Sequence, residues 1–344
     1  MSDPPMPRDL EPMLATAAKV LPGGGGWAYE LKWDGVRALT YVQGGDVRIC
    51  ARRGDDCSQR YPELAEIGAA NSDRELILDG EIVAFDDDGA PSFGHLQRRM
   101  GLTDPGRIRL RARETPVTYV GFDLLWLDGH PLTGEPYERR RELLAELGFD
   151  GPSWQAPGHR VGGGEALFDV VRERGLEGVV AKRLKSPYRP ARRSADWVKV
   201  QNRRRQELVI GGYLPGEGGR ARRVGSLLVG YWDTTPAEAA RLGRAQRLVY
   251  AGGVGTGFTQ ARLEELTELL APLRRATSPF EAGWDPQVKY AGRARERGGL
   301  VWVEPVLVCE VEFLRWTHED TLRAASFKGL RDDKDAHEVV RESV

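Results

Sequence analysis

Between residues 27 and 182 the chain keeps offering short β-branched and aromatic runs cut off by Gly and Asp. That texture constrains the fold more than any single motif. The strand candidates are Trp27–Lys32, Ala38–Tyr41, Val47–Ala51, Leu76–Phe85, Val117–Leu125 and Gly178–Lys182. Helical periodicity appears at Pro62–Ala70, where Pro62 suits the first helical position, and at Glu138–Leu147. A third helix, Glu165–Arg174, is stopped by Gly175. Strands and helices in this proportion predict an α+β region of mostly antiparallel sheets with flanking helices.

After Lys199 the texture changes. Gln206–Tyr213, Ser226–Trp232, Leu248–Val254, Leu300–Val303 and Val306–Leu314 are short strand candidates spaced by Gly, Pro and charge. One strong helix interrupts them: Thr259 is a good N-cap, and Leu263, Leu266, Leu270 and Leu273 share a face. Five strands and a helix suit a C-terminal OB-fold barrel, an architecture used widely on nucleic acids. The expected domains are 1–203 and 204–344, with a hinge near Val200–Arg205. Pro215–Arg223, rich in Gly and Arg, reads as a mobile hairpin loop.

A length of 344 residues suits two domains of ordinary size. No apolar stretch is long enough for a transmembrane helix, and the N-terminus lacks a signal-peptide pattern. Cys50, Cys57 and Cys309 show no metal-ligand spacing and cannot all pair, so a reducing cytoplasm is expected. The net charge of −1 carries no global nucleic-acid signal. Locally, Lys182 to Arg205 holds ten basic residues and one acid, Asp196. Such a run is a candidate phosphate-binding stripe; its ordinary alternative is a solvated face.

Several short motifs carry chemistry. Glu30-Leu31-Lys32-Trp33-Asp34-Gly35-Val36-Arg37 places a lysine just past a strand, where a tight turn at Gly35 would allow close approach to a ligand. Lysine is a competent nucleophile once its ammonium is partly desolvated or crowded by other cations. The ordinary alternative is a solvated turn. Ala51-Arg52-Arg53-Gly54 reads equally as a basic hairpin turn, and Leu78-Asp79-Gly80-Glu81 as a turn opening a strand. Phe122 in Phe122-Asp123-Leu124-Leu125 suits a core. Glu177-Gly178-Val179-Val180-Ala181-Lys182 and Trp197-Val198-Lys199-Val200-Gln201 fall inside the basic run. Near the C-terminus, Phe327-Lys328-Gly329-Leu330-Arg331-Asp332-Asp333-Lys334 could be a charged tail.

Taken in order, these elements resemble the motifs of the covalent nucleotidyltransferases. The resemblance runs from residue 30 to 334. It points to bacterial ATP-dependent DNA ligases of the stand-alone actinobacterial ligase C type, relatives of the ligase module of ligase D. It implies a nucleotidyltransferase domain followed by an OB-fold, with Lys32 attacking the α-phosphate of ATP and carrying AMP as a phosphoramidate. Glu30 and Leu31 would read the adenine, Phe122 and Val180 would cover its two faces, and Arg52 and Glu81 would lie near the ribose. Lys182 would complete the nucleotide site. Lys199 would neutralise the α-phosphate, and Glu177 with Glu81 would hold Mg²⁺ or Mn²⁺. Arg37 would meet the nick, and Asp34 its 3′-terminal sugar or the metal. Arg331 and Lys334 would orient the leaving pyrophosphate, which requires the C-terminal domain to close over the ATP site. One departure stands out: Gln201 replaces the second lysine of the W-x-K-x-K element, and Arg203 or Arg205 would have to supply the missing charge.

The resemblance therefore implies a cytoplasmic, monomeric enzyme, associated with the nucleoid, that seals 3′-OH/5′-phosphate nicks in duplex DNA during repair, alongside possible repair proteins and without a membrane. Two rivals remain open at this point. One is an RNA ligase or GTP-using capping enzyme; the other is a non-catalytic DNA-binding protein built on a dead ligase.

Overall fold

A computed structural model describes residues 4–217, 223–281, 299–317 and 319–342. The chain forms two compact units, Met1–Asn202 and Arg203–Val344. Most of the predicted Pro215–Arg223 loop, at 218–222, lies outside the described residues.

The first unit contains two sheets. One comprises β1 (Leu14–Ala17), β2 (Trp27–Leu31) and, much later in the chain, Gly178–Arg183 and Arg193–Gln201. The other is built from β3 (Val36–Gln43), β4 (Asp46–Ala51), β5 (Leu76–Ala84) and β6 (Val117–Leu127), in the order β4-β3-β5-β6. Numbering on, Gly178–Arg183 is β7 and Arg193–Gln201 is β8; the first sheet runs β1-β8-β7-β2. All these pairs are antiparallel except β1 with β8, which is parallel. Nothing local in the sequence announced β1, because its partner lies near residue 195.

Three layers of apolar side chains hold this unit together. Ala38, Leu78, Tyr119 and Leu124 pack on one face of the second sheet with Leu64, Ile67, Leu96 and Leu144 from the flanking helical segments. Leu39, Ile77, Phe122 and Leu125 occupy its other face, against Met13, Tyr188 and Trp197 of the first sheet and its connections. On the far side, Trp27, Tyr29, Val179 and Ala181 pack with Val171. The β5–β6 register skips Leu125 and Phe122, so each is the extra residue of a bulge. A bulge re-aims side chains, and here both join the layer between the sheets.

Helices α1 (Glu66–Ala70), α2 (Phe93–Gln97), α3 (Pro105–Glu114), α4 (Tyr137–Glu146) and α5 (Gly164–Glu173) flank the sheets. Two predicted helices match within a residue at each end. The third, Pro62–Ala70, divides into a 3₁₀ turn at Pro62–Ala65 and then α1. Sequence periodicity did not reveal α2 and α3, although Ser92 and Asp104 cap them by accepting from His95 N and Arg107 N.

In the second unit β9 (Arg204–Pro215), β10 (Val224–Trp232) and β11 (Leu248–Val254) form an antiparallel meander. The other edge of β9 pairs with β12 (Val301–Val303) and β13 (Val308–Phe313), and β13 pairs with β14 (Ser326–Arg331). The segment from Phe327 to Arg331 is therefore a strand, not a tail. Among the described residues the ladder does not close into a hydrogen-bonded barrel. Its two ends meet where Phe327 N donates to Thr256 O at 2.9 Å. Between β10 and β11 lies α6 (Pro236–Leu242), which begins with a capping box of Thr235 and Glu238. Helix α7 (Gln260–Leu270) starts at the expected cap Thr259 and buries Leu263, Leu266 and Leu270 in this unit's core.

Candidate active site

Where the two sheets of the first unit face each other, they enclose a cavity of about 200 Å³. From β2 and the turn after it come Glu30, Leu31, Lys32 and Trp33. The second sheet contributes Arg37, Glu81 and Phe122, and Arg52 follows β4. Val180 and Lys182 of β7 and Lys199 of β8 complete the residues that the motifs singled out. Asp34 is buried and off this wall; Glu177 is also off it but reaches it through Lys32.

Two glycines make the geometry possible. A Cβ on Gly35 would sit 2.1 Å from Ile82 O and 2.8 Å from Glu81 Cγ. The close approach that Gly35 permits is thus to β5 rather than to a ligand, and it brings Glu81 beside the Lys32 turn. At Gly178, φ is +154° and a Cβ would meet Val200 O at 2.2 Å. Gly178 O accepts from Lys32 N at 2.9 Å, which ties the end of β2 to the start of β7.

That tie places two residues 145 positions apart side by side: Lys32 Nζ donates to Glu177 Oε1 at 2.6 Å. Gln201 Nε2 donates to the same oxygen at 3.4 Å. Glu177 Oε2 is buried and accepts no hydrogen bond. A buried carboxylate oxygen without a donor is costly unless a cation serves it. Glu81 reports the same local imbalance. Burial pushes its carboxyl up to about 8 against the attraction of Lys32 and Arg37, with Glu177 and Asp79 adding repulsion. Lys199 is held below the ordinary lysine value, first by partial burial and then by the charges of Lys32 and Arg193. Cations crowded in this way favour an anion among them.

The deeper wall is a charged network. Lys182, 1% exposed, pairs with Glu30 Oε2 at 2.7 Å. Its Nζ also lies 4.3 Å from the ring centres of both Phe122 and Trp197. Burial lowers the Lys182 pKa, and Glu30 opposes that shift. Arg37 is spoken for as well: Nε and Nη2 donate to the two Asp79 oxygens at 2.9 and 2.6 Å, and Nη2 also reaches Met13 O. Tyr188 donates to Asp79 Oδ2 at 2.7 Å.

The basic run does not form one exposed stripe. Lys182 is buried, Arg189 pairs with Asp196, Lys185 with Glu138, and Lys199 faces the cavity. Arg203 and Arg205, the suggested substitutes for a lysine at Gln201, lie in the second unit against Glu312 and Glu310. Arg331 and Lys334 are in that unit too. Arg331 binds Glu207 at 2.8 Å and Asp333 at 2.8 Å; Lys334 lies 3.7 Å from Glu207.

Sequence reasoning missed Leu14, Ala15, Trp33, Arg193 and Trp197 on the cavity wall. It also missed the supporting Asp79 and Tyr137. Trp197 and Asp79 stood inside motifs already noticed, so their buried partners were the missing information. Leu14 and Ala15 gave no local signal.

A family model described as an ATP dependent DNA ligase domain matches residues 12–201, more than half of the chain. The chain belongs to the ATP-dependent DNA ligase family. A second model, the ATP dependent DNA ligase C terminal region, matches the chain at 220–334. The chain is 41% identical over 335 residues to the multifunctional non-homologous end joining DNA repair protein LigD of Mycobacterium tuberculosis. That match covers 97% of the chain but only 40% of LigD. Identity to DNA ligase C1 of Mycolicibacterium smegmatis is 32%, covering 96% of the chain and 88% of its relative. A solved mycobacterial DNA ligase D complexed with ATP and MES superimposes with a TM-score of 0.53 at 39% identity, covering 97% and 99% of the two chains. The sequence resemblance to ligases C and D is thereby met, with the higher identity on the ligase D side.

Proposed function

We propose that this ligase seals 3′-OH/5′-phosphate nicks in duplex DNA through a lysyl-AMP intermediate on Lys32 and then a DNA-adenylate. The observation that carries this reading is Lys32, beside Glu177, on the wall of a cavity shared with Lys199, Glu81, Phe122 and Val180. In the first step the Lys32 amine forms a P–N bond to the ATP α-phosphorus and pyrophosphate leaves. Glu177 Oε1 already accepts the Lys32 proton in a hydrogen bond and is placed to relieve the ammonium of it. Lys199 and Arg193 neutralise the phosphate, while Phe122 and Val180 hold the base. Phosphoryl transfer asks chiefly for such positioning and charge neutralisation. AMP then passes to the 5′-phosphate of the nick, and the 3′-hydroxyl displaces it.

Among the described residues no group of three or more His, Cys, Asp or Glu is arranged to hold a metal ion. Mg²⁺ needs no such cage, since it commonly takes one or two carboxylates together with substrate phosphates. The unpartnered Glu177 Oε2 and the raised Glu81 carboxyl fit that pattern. When bound, Mg²⁺ or Mn²⁺ would offset negative charge developing on the phosphates.

The motifs support 1–203 as the adenylyltransferase domain and 204–344 as the OB-fold domain, with Arg331 and Lys334 orienting pyrophosphate. They also support Arg52 near the ribose and Asp34 at the nick. The Arg37–Asp79 pair supports a scaffolding role for Arg37 beside any contact with DNA. The LigD relationship supports a setting in DNA repair, in a bacterial cytoplasm and near the nucleoid. No described helix is long and apolar enough to cross a membrane. The deciding experiment compares sealing of a nicked duplex with ATP, GTP and NAD⁺. ATP alone should support it; sealing with NAD⁺, or none with ATP, would sink the reading.

A further inference from the structure

Tyr137 lies off the cavity wall, at the first turn of α4, and is fully buried. The helix start is anchored to the chain just beyond β7. Tyr137 N donates to Ser186 O at 2.9 Å, Glu138 N to Leu184 O at 3.0 Å, and the buried Arg140 to Ser186 O at 3.2 Å. Orphan N–H groups of a helix N-terminus are thereby satisfied. The Tyr137 hydroxyl, 107 residues along the chain from Glu30, donates to Glu30 Oε1.

Glu30 is thus gripped at both oxygens: Tyr137 holds Oε1 and Lys182 holds Oε2 at 2.7 Å. It is 4% exposed, and it still lines the cavity. Burial keeps the Tyr137 hydroxyl well above its ordinary pKa, so it remains a donor at neutral pH. Each carboxylate oxygen accepts more than one hydrogen bond. A carboxylate held in this way offers acceptors only. It suits a base edge that donates an exocyclic amine and disfavours one that presents a carbonyl.

We infer that Tyr137 is a positioning residue for nucleobase selection: its hydroxyl fixes the Glu30 carboxylate so that it accepts from the 6-amino group of a purine nucleotide. This rests on the ligase reading above and extends it to a residue that no motif marks.

The test uses Tyr137→Phe in the full chain, which keeps the ring beside Lys182 and Arg140. Self-nucleotidylation is followed with ATP and with purine riboside 5′-triphosphate, which lacks the 6-amino group. For ATP the KM should rise about tenfold, the size of a lost hydrogen bond to a charged group, with kcat within about twofold. For the analogue the variant and the parent should behave alike. The parent's preference for ATP over the analogue should therefore fall about tenfold. That ratio, taken on one preparation, does not depend on the fraction folded. Equal losses with both nucleotides would mean that Tyr137 only packs, and an unchanged ratio would likewise overturn the inference. Failure of the parent to label with either nucleotide would overturn the ligase reading and this inference with it.

Discussion

The ion pairs around the candidate functional residues differ between the two units. In the first, two ion pairs behind the candidate site are taken out of water: Lys182 with Glu30 at side-chain exposures of 2% and 4%, and Arg140 with Asp123 at 0% and 0%, although other pairs of that unit, such as Lys185 with Glu138, are exposed. In the second, Arg205 with Glu312 is 57% and 17% exposed, and Lys334 with Glu207 is 46% and 18% exposed. Buried pairs lose hydration and hold their geometry only while every partner is present. Exposed pairs are screened, exchange partners cheaply and add little stability. The first unit thus carries a preorganised pocket. The second carries arginines and lysines whose carboxylate partners are held in partly exposed pairs.

The largest test of this contrast is Lys32→Ala. With α-labelled ATP and a divalent cation, the parent should take up label that survives denaturant and is released by acid, while the variant should take up none. Label retained on the variant would remove Lys32 as the nucleophile and leave the pocket without its central role.

Next comes Arg331→Ala, which sharpens the comparison from the other side. Self-adenylation should fall by about 10²–10³-fold, as for loss of one transition-state donor. Stability should barely change, because the pair is solvent-screened, and a nick supplied already adenylated should still be sealed. Normal self-adenylation, or loss of sealing on the adenylated nick, would end the proposed role in orienting pyrophosphate.

Lys182→Met asks whether the buried pair behaves as one. It leaves the Glu30 carboxylate buried without its cation, so denaturant unfolding should show a loss of about 3–5 kcal/mol. A loss as small as that expected for Arg331→Ala would erase the distinction between the two units.

The smallest effect is a titration. Hydrogen bonds from Arg331 lower the Asp333 pKa from 3.8 to about 2. Its folded-state value lies below its unfolded one, so its stabilisation is present above about pH 4 and fades as pH falls towards 2. NMR titration of the carboxyl should show that midpoint; an ordinary value would mean the pair does not persist in solution.

Much of this was legible in the chain, and the reason is local chemistry. Strands such as Leu248–Val254 and the helix after Thr259 could be placed because alternation, periodicity and caps act over a few residues. Lys32, Glu81, Phe122 and Lys199 could be named because each lies in a short motif of the resemblance, and all four line one cavity. The basic run misled for the opposite reason. Linear charge does not say which face a side chain takes, so Lys182 went inward to Glu30 while Arg205 went to another unit.

The sequence by itself determined which residue types were available for chemistry and which segments would become strands. Only the tertiary structure decided who stands beside whom. Lys32 meets Glu177 because the hydrogen bond from Lys32 N to Gly178 O ties the end of β2 to the start of β7. Arg37 is held by Asp79 and by the carbonyl of Met13, the residue before β1, which pairs with β8 almost the whole unit away. Tyr137 reaches Glu30 across 107 residues. Desolvation and pairing are properties of neighbours in space, and no window along the chain contains them.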